Sequence, residues 1–176
     1  VEGGGRVSGY FTGASGVTIY TGDAFGADFV DNAFTGDVGS NLVHRKVIKR
    51  QFPRGLSLLA ERPEDEVDHE FIASRDNWFR PANFANGPDG CLYIIDMHRE
   101  VIEHPWSLPL GIKKHLDLNS GAGRGRIYRV KPKAFTRRAT AELSGFSTDE
   151  LANTLKHGNG WHRVTAQRLL WERGDQ

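Results

Sequence analysis

"NFANGPDGCLYIID", residues 83–96, is the stretch on which the fold reading turns. Gly87-Pro88-Asp89-Gly90 is a tight turn. Pro88 presets φ at the first central position, Asp89 tolerates the second, and Gly90 can take a positive φ. An apolar run, Cys91 to Ile95, follows at once and stops at Asp96. A turn feeding a short apolar run reads as a hairpin entering a core strand. The open question is whether that strand also holds Asp96 at the rim of a site.

Upstream, Val17-Thr18-Ile19-Tyr20 is β-branched and aromatic, and Asn32 to Asp37 is a second short run. Asn41 to Arg50 is a third, with Leu42, His44, Lys46 and Ile48 on one face. Leu56–Glu61 and Glu70–Ser74 flank "RPEDEVDHE", which suits a hairpin tip of solvated charge. Downstream, "GRIYRV" (125–130) gives a last strand. Short strands spaced roughly 8–12 residues apart with turn signals indicate a sandwich, barrel or propeller. The pattern suits about two propeller blades, whereas closed propellers typically have about four to eight. An incomplete propeller or a different β fold is therefore expected.

The character changes near residue 132. "KPKAFTRRATAELSGF" reads as a linker, and Ser147-Thr148-Asp149-Glu150 is a capping box. Leu151 and Leu155 mark a short helix ending near Gly158. Trp161 to Arg173 gives a second helix, with Trp161, Val164, Ala166, Leu169 and Leu170 on a broad apolar side and Gly174 at its end. Such a pair cannot bury its own face and reads as the first unit of a helical repeat array. The fold class is thus mainly β with a C-terminal α-hairpin.

Totals bound the function classes. The chain of 176 residues is 38% hydrophobic and 26% charged, normal for a globular protein. A net charge of +1 gives no global field toward nucleic acid or membrane. No run approaches the ~18 apolar residues of a membrane span. The single Cys91 rules out an internal disulfide and any CxxC motif. The Gly-rich opening "VEGGGRVSGYFTG", without an initiator Met, reads as the middle of a longer protein.

The polar cluster after the opening stretch is the main candidate for chemistry. "IIDMHREVIEHPW" brings Asp96, His98, Arg99, Glu100, Glu103 and His104 close in sequence. A carboxylate, imidazoles and a guanidinium there can serve as acid, base or anion clamp. The plainer reading is a surface loop held by ion pairs. The two histidines lack the spacing of a zinc helix motif. "GDVGSNLVHR" offers Asp37, Asn41 and His44, with too few carboxylates for a calcium loop. Asx-type turn chemistry explains it as well. In "DNWFRP", Arg80 next to Trp78 and Phe79 reads as packing or as a guanidinium placed in a channel. "RGRIYRVKPKAFTRR" (124–138) holds seven basic residues and no acid. Part of it alternates as a strand, so an edge strand plus linker fits better than a nucleic-acid stripe. "GAGRGR" (121–126) fails the dinucleotide fingerprint.

As a set, "SGVTIYTGDAFGADFVDNAFTGDVGSNLVHRKV", "FIASRDNWFRPANFANGPDGCLYIIDMHREVIEHPWSLP", "GRGRIYRV" and "HGNGWHRVTAQRLLWERGD" resemble the membrane-bound dehydrogenase family of large bacterial haem-binding proteins. The resemblance runs from about Gly9 to Asp175. It implies the last blades of a propeller similar to pyrroloquinoline-quinone glucose dehydrogenases at 1–132, a linker at 133–146, and the first HEAT-like helical pair at 147–176. It also implies a periplasmic or secreted protein that oxidises a sugar or alcohol and passes electrons to a c-type cytochrome module outside this chain. Pyrroloquinoline quinone and calcium enter as the cofactors of such a propeller, and haem c as that of the cytochrome. No quinone-binding motif falls in this segment, and Cys91 is not followed by CH, so no cofactor ligand is carried over. His98 stands where the family's "DMYRE" has Tyr.

Asp96 and His104 are the expected acid/base pair, with Arg80 and Arg99 orienting a small polar substrate or carbohydrate. The further expected partners are the rest of the propeller and the repeat array, without nucleic acid and without a direct membrane span. The alternative is a non-catalytic propeller and HEAT scaffold that binds carbohydrate or protein, with Asp96, Arg99 and Glu103 as structural ion pairs.

Overall fold

The structure, a computed structural model, describes residues 11–50, 57–102 and 104–174. Leu56, at the start of one expected strand, and Glu103 lie outside the described residues. The first sheet has the order β1-β2-β3-β4, with β1 Ala14–Ile19, β2 Ala33–Asp37, β3 Leu42–Arg50 and β4 Leu58–Glu61. A fifth strand, β5 Ile72–Ala73, also pairs with β3. The second sheet has the order β6-β7-β8, with β6 Pro81–Asn86, β7 Leu92–Asp96 and β8 Arg126–Val130. The molecule is mixed α/β, with mostly antiparallel sheets and a short C-terminal helical hairpin.

β2 and β3 pair antiparallel from Ala33↔Lys46 to Asp37↔Leu42. Their connection is built by Asp37. Its Oδ1 accepts from the backbone N–H groups of Gly13, Gly39 and Ser40, and its Oδ2 from that of Thr12. The Asx-turn reading of residues 36–45 therefore describes this loop. Phe34 and Val43 are fully buried, and Phe34 packs edge-on against Phe71.

The acidic segment departs from expectation. β4 pairs with β3 at Val47–Arg50 and β5 pairs with β3 at Leu42–Val43, so the two are not a hairpin with 62–70 as its tip. The segment folds inward through a 3-10 turn at Glu64–Glu66. Glu66 is buried, with Oε1 2.9 Å from Arg45 Nε, and Asp65 accepts from the same guanidinium. Arg62 donates to the carbonyls of Glu66 and His69 and to Glu70, whose other oxygen meets His44 Nδ1. His44, Arg45 and Arg62 thus draw part of the apparent surface charge into an internal network. Burial pushes the Glu66 carboxyl above the usual glutamate range, and Arg45 only partly offsets this. Burial acts on Glu70 in the same sense, but Arg62 and His44 outweigh it and hold that carboxyl below its usual value.

The β6–β7 turn has the expected geometry. Gly90 takes φ +82, and the N–H groups of Gly90 and Gly87 donate to Gly87 O and Cys91 O. Cys91 and Leu92 are buried. The strand β6 was not expected from the sequence. Pro81 is tolerated because it is the first residue of the strand, where no ladder N–H is needed.

Two helices close the described chain. Thr148–Thr154 (α2, since a four-residue α1 spans Leu110–Lys113) carries the full capping box between Ser147 and Glu150. Gly160–Arg173 (α3) is capped by Asn159 and ends on Gly174 in the left-handed region. Leu143, Leu151 and Ala166 form their buried centre, against which Phe146, Trp161, Leu169 and Leu170 pack. Val164, expected on the apolar side, is 66% exposed. It is two residues from the buried Ala166, about 200° and so just over half a turn round the helix.

By backbone contacts the chain forms two compact units. One comprises the described residues of Val1–Thr18, Ala33–Phe84 and Ile94–Tyr128, and the other those of Ile19–Asn32, Ala85–Tyr93 and Arg129–Gln176. In the second unit, the GPDG turn is covered by the start of α3. Asn159 Nδ2 donates to Gly87 O and Pro88 O, and His162 Nε2 lies 3.0 Å from Pro88 O. Tyr20 reaches the same turn through Gly90 O.

Candidate functional site

The end of β7 explains where Asp96 points. Along the strand Leu92, Ile94 and Asp96 are buried while Ile95 is exposed. Strand side chains alternate faces, so the apolar period of two carries the carboxylate inward with Leu92 and Ile94. There it behaves as a hub. Oδ1 accepts from the backbone N–H of Arg80 at 2.8 Å and of His98 at 2.8 Å. Oδ2 accepts from Arg126 Nη2 at 2.9 Å and Nε at 3.2 Å. Asp96 is 1% exposed, and four donors occupy its two oxygens. A carboxylate in this state has no free lone pair aimed at a substrate.

Arg80 is likewise buried. Nε donates to Arg99 O at 2.8 Å, Nη1 to Val38 O at 2.6 Å and Nη2 to Glu100 O at 2.7 Å. Desolvation lowers its basicity, partly offset by Asp76 and Asp96. Its guanidinium ties three backbone segments together. The Arg99 side chain donates to Asn119 O. His104 is exposed, and its Nδ1 accepts from Trp106 N at the start of a 3-10 turn over Pro105–Ser107. The fold brings Asp96 and Arg80 together, and Arg80 to the Arg99 carbonyl, through backbone groups. His104 shares no hydrogen bond with any of them.

The residue that sequence reasoning passed over is Arg126. It sat inside a basic run, yet its side chain joins Asp96, Asp76 and His98 Nδ1 and lies over Tyr128, 5.4 Å from the ring centroid. Trp78 packs on His98, ring centroids 5.2 Å apart. Desolvation lowers the basicity of Arg126, but its hydrogen bonds to the Asp96 carboxylate, with the charges nearby, together outweigh this and raise it. In the other unit, Arg129 pairs with Asp89 and Arg138 with Asp23. Three of the seven cations of the 124–138 run, Arg126, Arg129 and Arg138, are therefore paired with carboxylates. The one signal in the sequence was alternation, since RIYRV puts Arg126 and Tyr128 on the same side.

The residues weighed for calcium do not fit it. Asp37 already receives four N–H donors, and Asn41 turns its amide N toward the carbonyls of Phe79 and Asn77. Among the described residues no group of three or more His, Cys, Asp or Glu could hold a metal ion. Burial pushes the Cys91 thiol up to about 11, so it is a small core residue at neutral pH. No helix among the described residues is long and apolar enough to cross a membrane.

Fold and site together define a β-rich, mostly antiparallel module with a helical hairpin, in which the conspicuous polar side chains are tied into the backbone. The chain belongs to the family described as "Domain of unknown function (DUF7133)", whose model matches residues 2–134. No curated protein and no solved structure matches it.

Proposed function

We propose that this chain is a non-catalytic segment of a larger binding scaffold: consecutive blades of a β-propeller followed by the first pair of a HEAT-like helical array, binding carbohydrate or protein. The carrying observation is the state of Asp96, buried and saturated by Arg80 N, His98 N and Arg126. General acid–base work needs a carboxyl that can reach the proton it moves, and this one is turned into the fold. The propeller reading draws support from β1–β4 and β6–β8, each lying side by side in sequence order as blade strands do.

The oxidation of a sugar or alcohol implied by the resemblance, with its quinone, calcium and cytochrome, would then be carried by residues outside this chain. The periplasmic or secreted setting belongs to the same proposal. The test is dye-linked oxidation of sugars and alcohols, with pyrroloquinoline quinone and calcium added, by a protein carrying this domain. Turnover that persists in a folded Asp96→Asn variant, or no turnover in the parent, agrees with the scaffold. Turnover abolished by Asp96→Asn with the fold intact makes Asp96 catalytic and refutes it.

A further inference from the structure

Residues 97–125 leave the end of β7 and return to the start of β8. Within this excursion the segment "HPWSLPLGIKKHL" (104–116) contains no acidic residue. It carries the most exposed large apolar side chains of its unit, Trp106 at 91% and Leu110 at 81%. A single exposed apolar residue needs no explanation, but two so fully exposed on one short segment do. Lys113 and Lys114 stand three and four residues after Leu110, so they share its side of the α1 turn. Among the described residues Lys49 is the only lysine in an ion pair, which leaves both of these charges free to meet an anion. The first carboxylate beyond the segment, Asp117, is turned back to accept from Asn119 N.

The backbone of the segment is largely self-contained. The N–H groups of Trp106 and Ser107 donate to His104 Nδ1 and His104 O. Those of residues 112–116 each donate to a carbonyl three or four residues back. Pro105 and Pro109 have no N–H to satisfy. A segment that enters a less polar medium must bring its backbone donors already paired, and most of these are. The turns and the two prolines also fix its shape in advance, so little conformational entropy is lost on docking.

We propose that residues 104–116 form an interfacial anchor, which seats Trp106 and Leu110 in the surface of an anionic bilayer with Lys113 and Lys114 against its headgroups. The contact is peripheral and crosses nothing. An indole suits the headgroup level, where the ring meets apolar surroundings and the N–H finds water or a lipid oxygen. Lysine stems lie along apolar surface while their ammonium groups reach outward to phosphate. A carbohydrate platform is the nearest competitor. It would set carboxylate or amide side chains beside the ring to hold hydroxyl groups, and 104–116 has neither. The anchor is independent of the scaffold reading, since none of its residues belongs to the Asp96 network.

Flotation of the full chain with vesicles tests this, because aggregated protein does not float. Vesicles of phosphatidylcholine alone are compared with vesicles of phosphatidylcholine and phosphatidylglycerol in equal parts. Binding is expected on the anionic vesicles, weakening as salt is added, and far less on the neutral ones. A lysine near an anionic surface is worth about fivefold in affinity, so Lys113→Gln with Lys114→Gln should cost about 25-fold. Trp106→Ser with Leu110→Ser should cost at least about tenfold. Circular dichroism should show both double variants folded, since the side chains they replace lie outside the core. Trp171→Ser and Lys133→Gln remove a comparably exposed indole and an exposed cation elsewhere, and should leave binding unchanged. No flotation on anionic vesicles, or flotation that survives Trp106→Ser with Leu110→Ser, overturns the anchor. So does a soluble cello-oligosaccharide that quenches Trp106 fluorescence while the vesicles bind nothing, which would mark a saccharide platform instead.

Discussion

Replacing Asp96 separates a structural hub from a catalytic carboxylate, because the first costs stability and the second does not. In Asp96→Ala the N–H of Arg80 loses its acceptor in a fully buried position, and the N–H of His98 loses the same oxygen. An unsatisfied buried donor costs about 1–3 kcal/mol, and the His98 N–H, which water can reach in part, falls at the low end. Arg126 is 39% exposed and keeps Asp76 as a neighbour, so its share is at most about 1 kcal/mol. The sum is a destabilisation of about 2–5 kcal/mol. Asp96→Asn retains one acceptor oxygen but points an amide N–H at Arg126 or at a backbone donor. It should cost about 1–3 kcal/mol. Urea unfolding followed by circular dichroism measures both, with His104→Ala as the exposed control, expected to be near neutral. An Asp96→Ala variant within about 1 kcal/mol of the parent at unchanged denaturant slope refutes the hub.

Three other outcomes follow from the same structure. Glu70 has its carboxyl held below the usual glutamate value of 4.5, so its stabilisation is complete above that pH and is lost as pH falls through the folded value; the stability gap between the parent and Glu70→Gln should therefore shrink on acidification, and a gap that widens contradicts the pairing with Arg62 and His44. Asn159→Ala removes a helix cap and the donors to Gly87 O and Pro88 O, so thermal unfolding should report a loss of about 2–4 kcal/mol, and a loss below about 0.5 kcal/mol would mean the turn is not held from α3. Cys91, with its thiol raised to about 11, should resist iodoacetamide at pH 8 until the protein is unfolded, and rapid labelling of the native chain would show that the β7 strand is open.

What could be read ahead of the structure was whatever is encoded locally. β1, β2, β3 and β8 declare themselves through β-branched or alternating residues, and the GPDG turn and the Ser147–Glu150 box carry their geometry in their own side chains. β6 does not, because Pro81, Asn83 and Asn86 are strand-poor types made tolerable by pairing with β7. The inward fold of the acidic segment was hidden because composition does not say which carboxylate meets an arginine; Glu66 is buried only because Arg45 on β3 is there to receive it. The site suffered most. Asp96 stands out in the sequence as the carboxylate that ends an apolar run, but its partners include a backbone N–H 16 residues upstream and a guanidinium 30 residues downstream, a separation that no local pattern encodes.

The account rests on Asp96 being sealed into the backbone, and the amide proton of Arg80 reports that most directly. If Asp96 Oδ1 holds it, the Arg80 N–H exchanges with solvent at least as slowly as the interior amides of β7 at neutral pH, and it exchanges fast in Asp96→Ala. A rapidly exchanging Arg80 N–H in the native parent would place the carboxylate in solvent and return Asp96 to the list of candidate acids and bases.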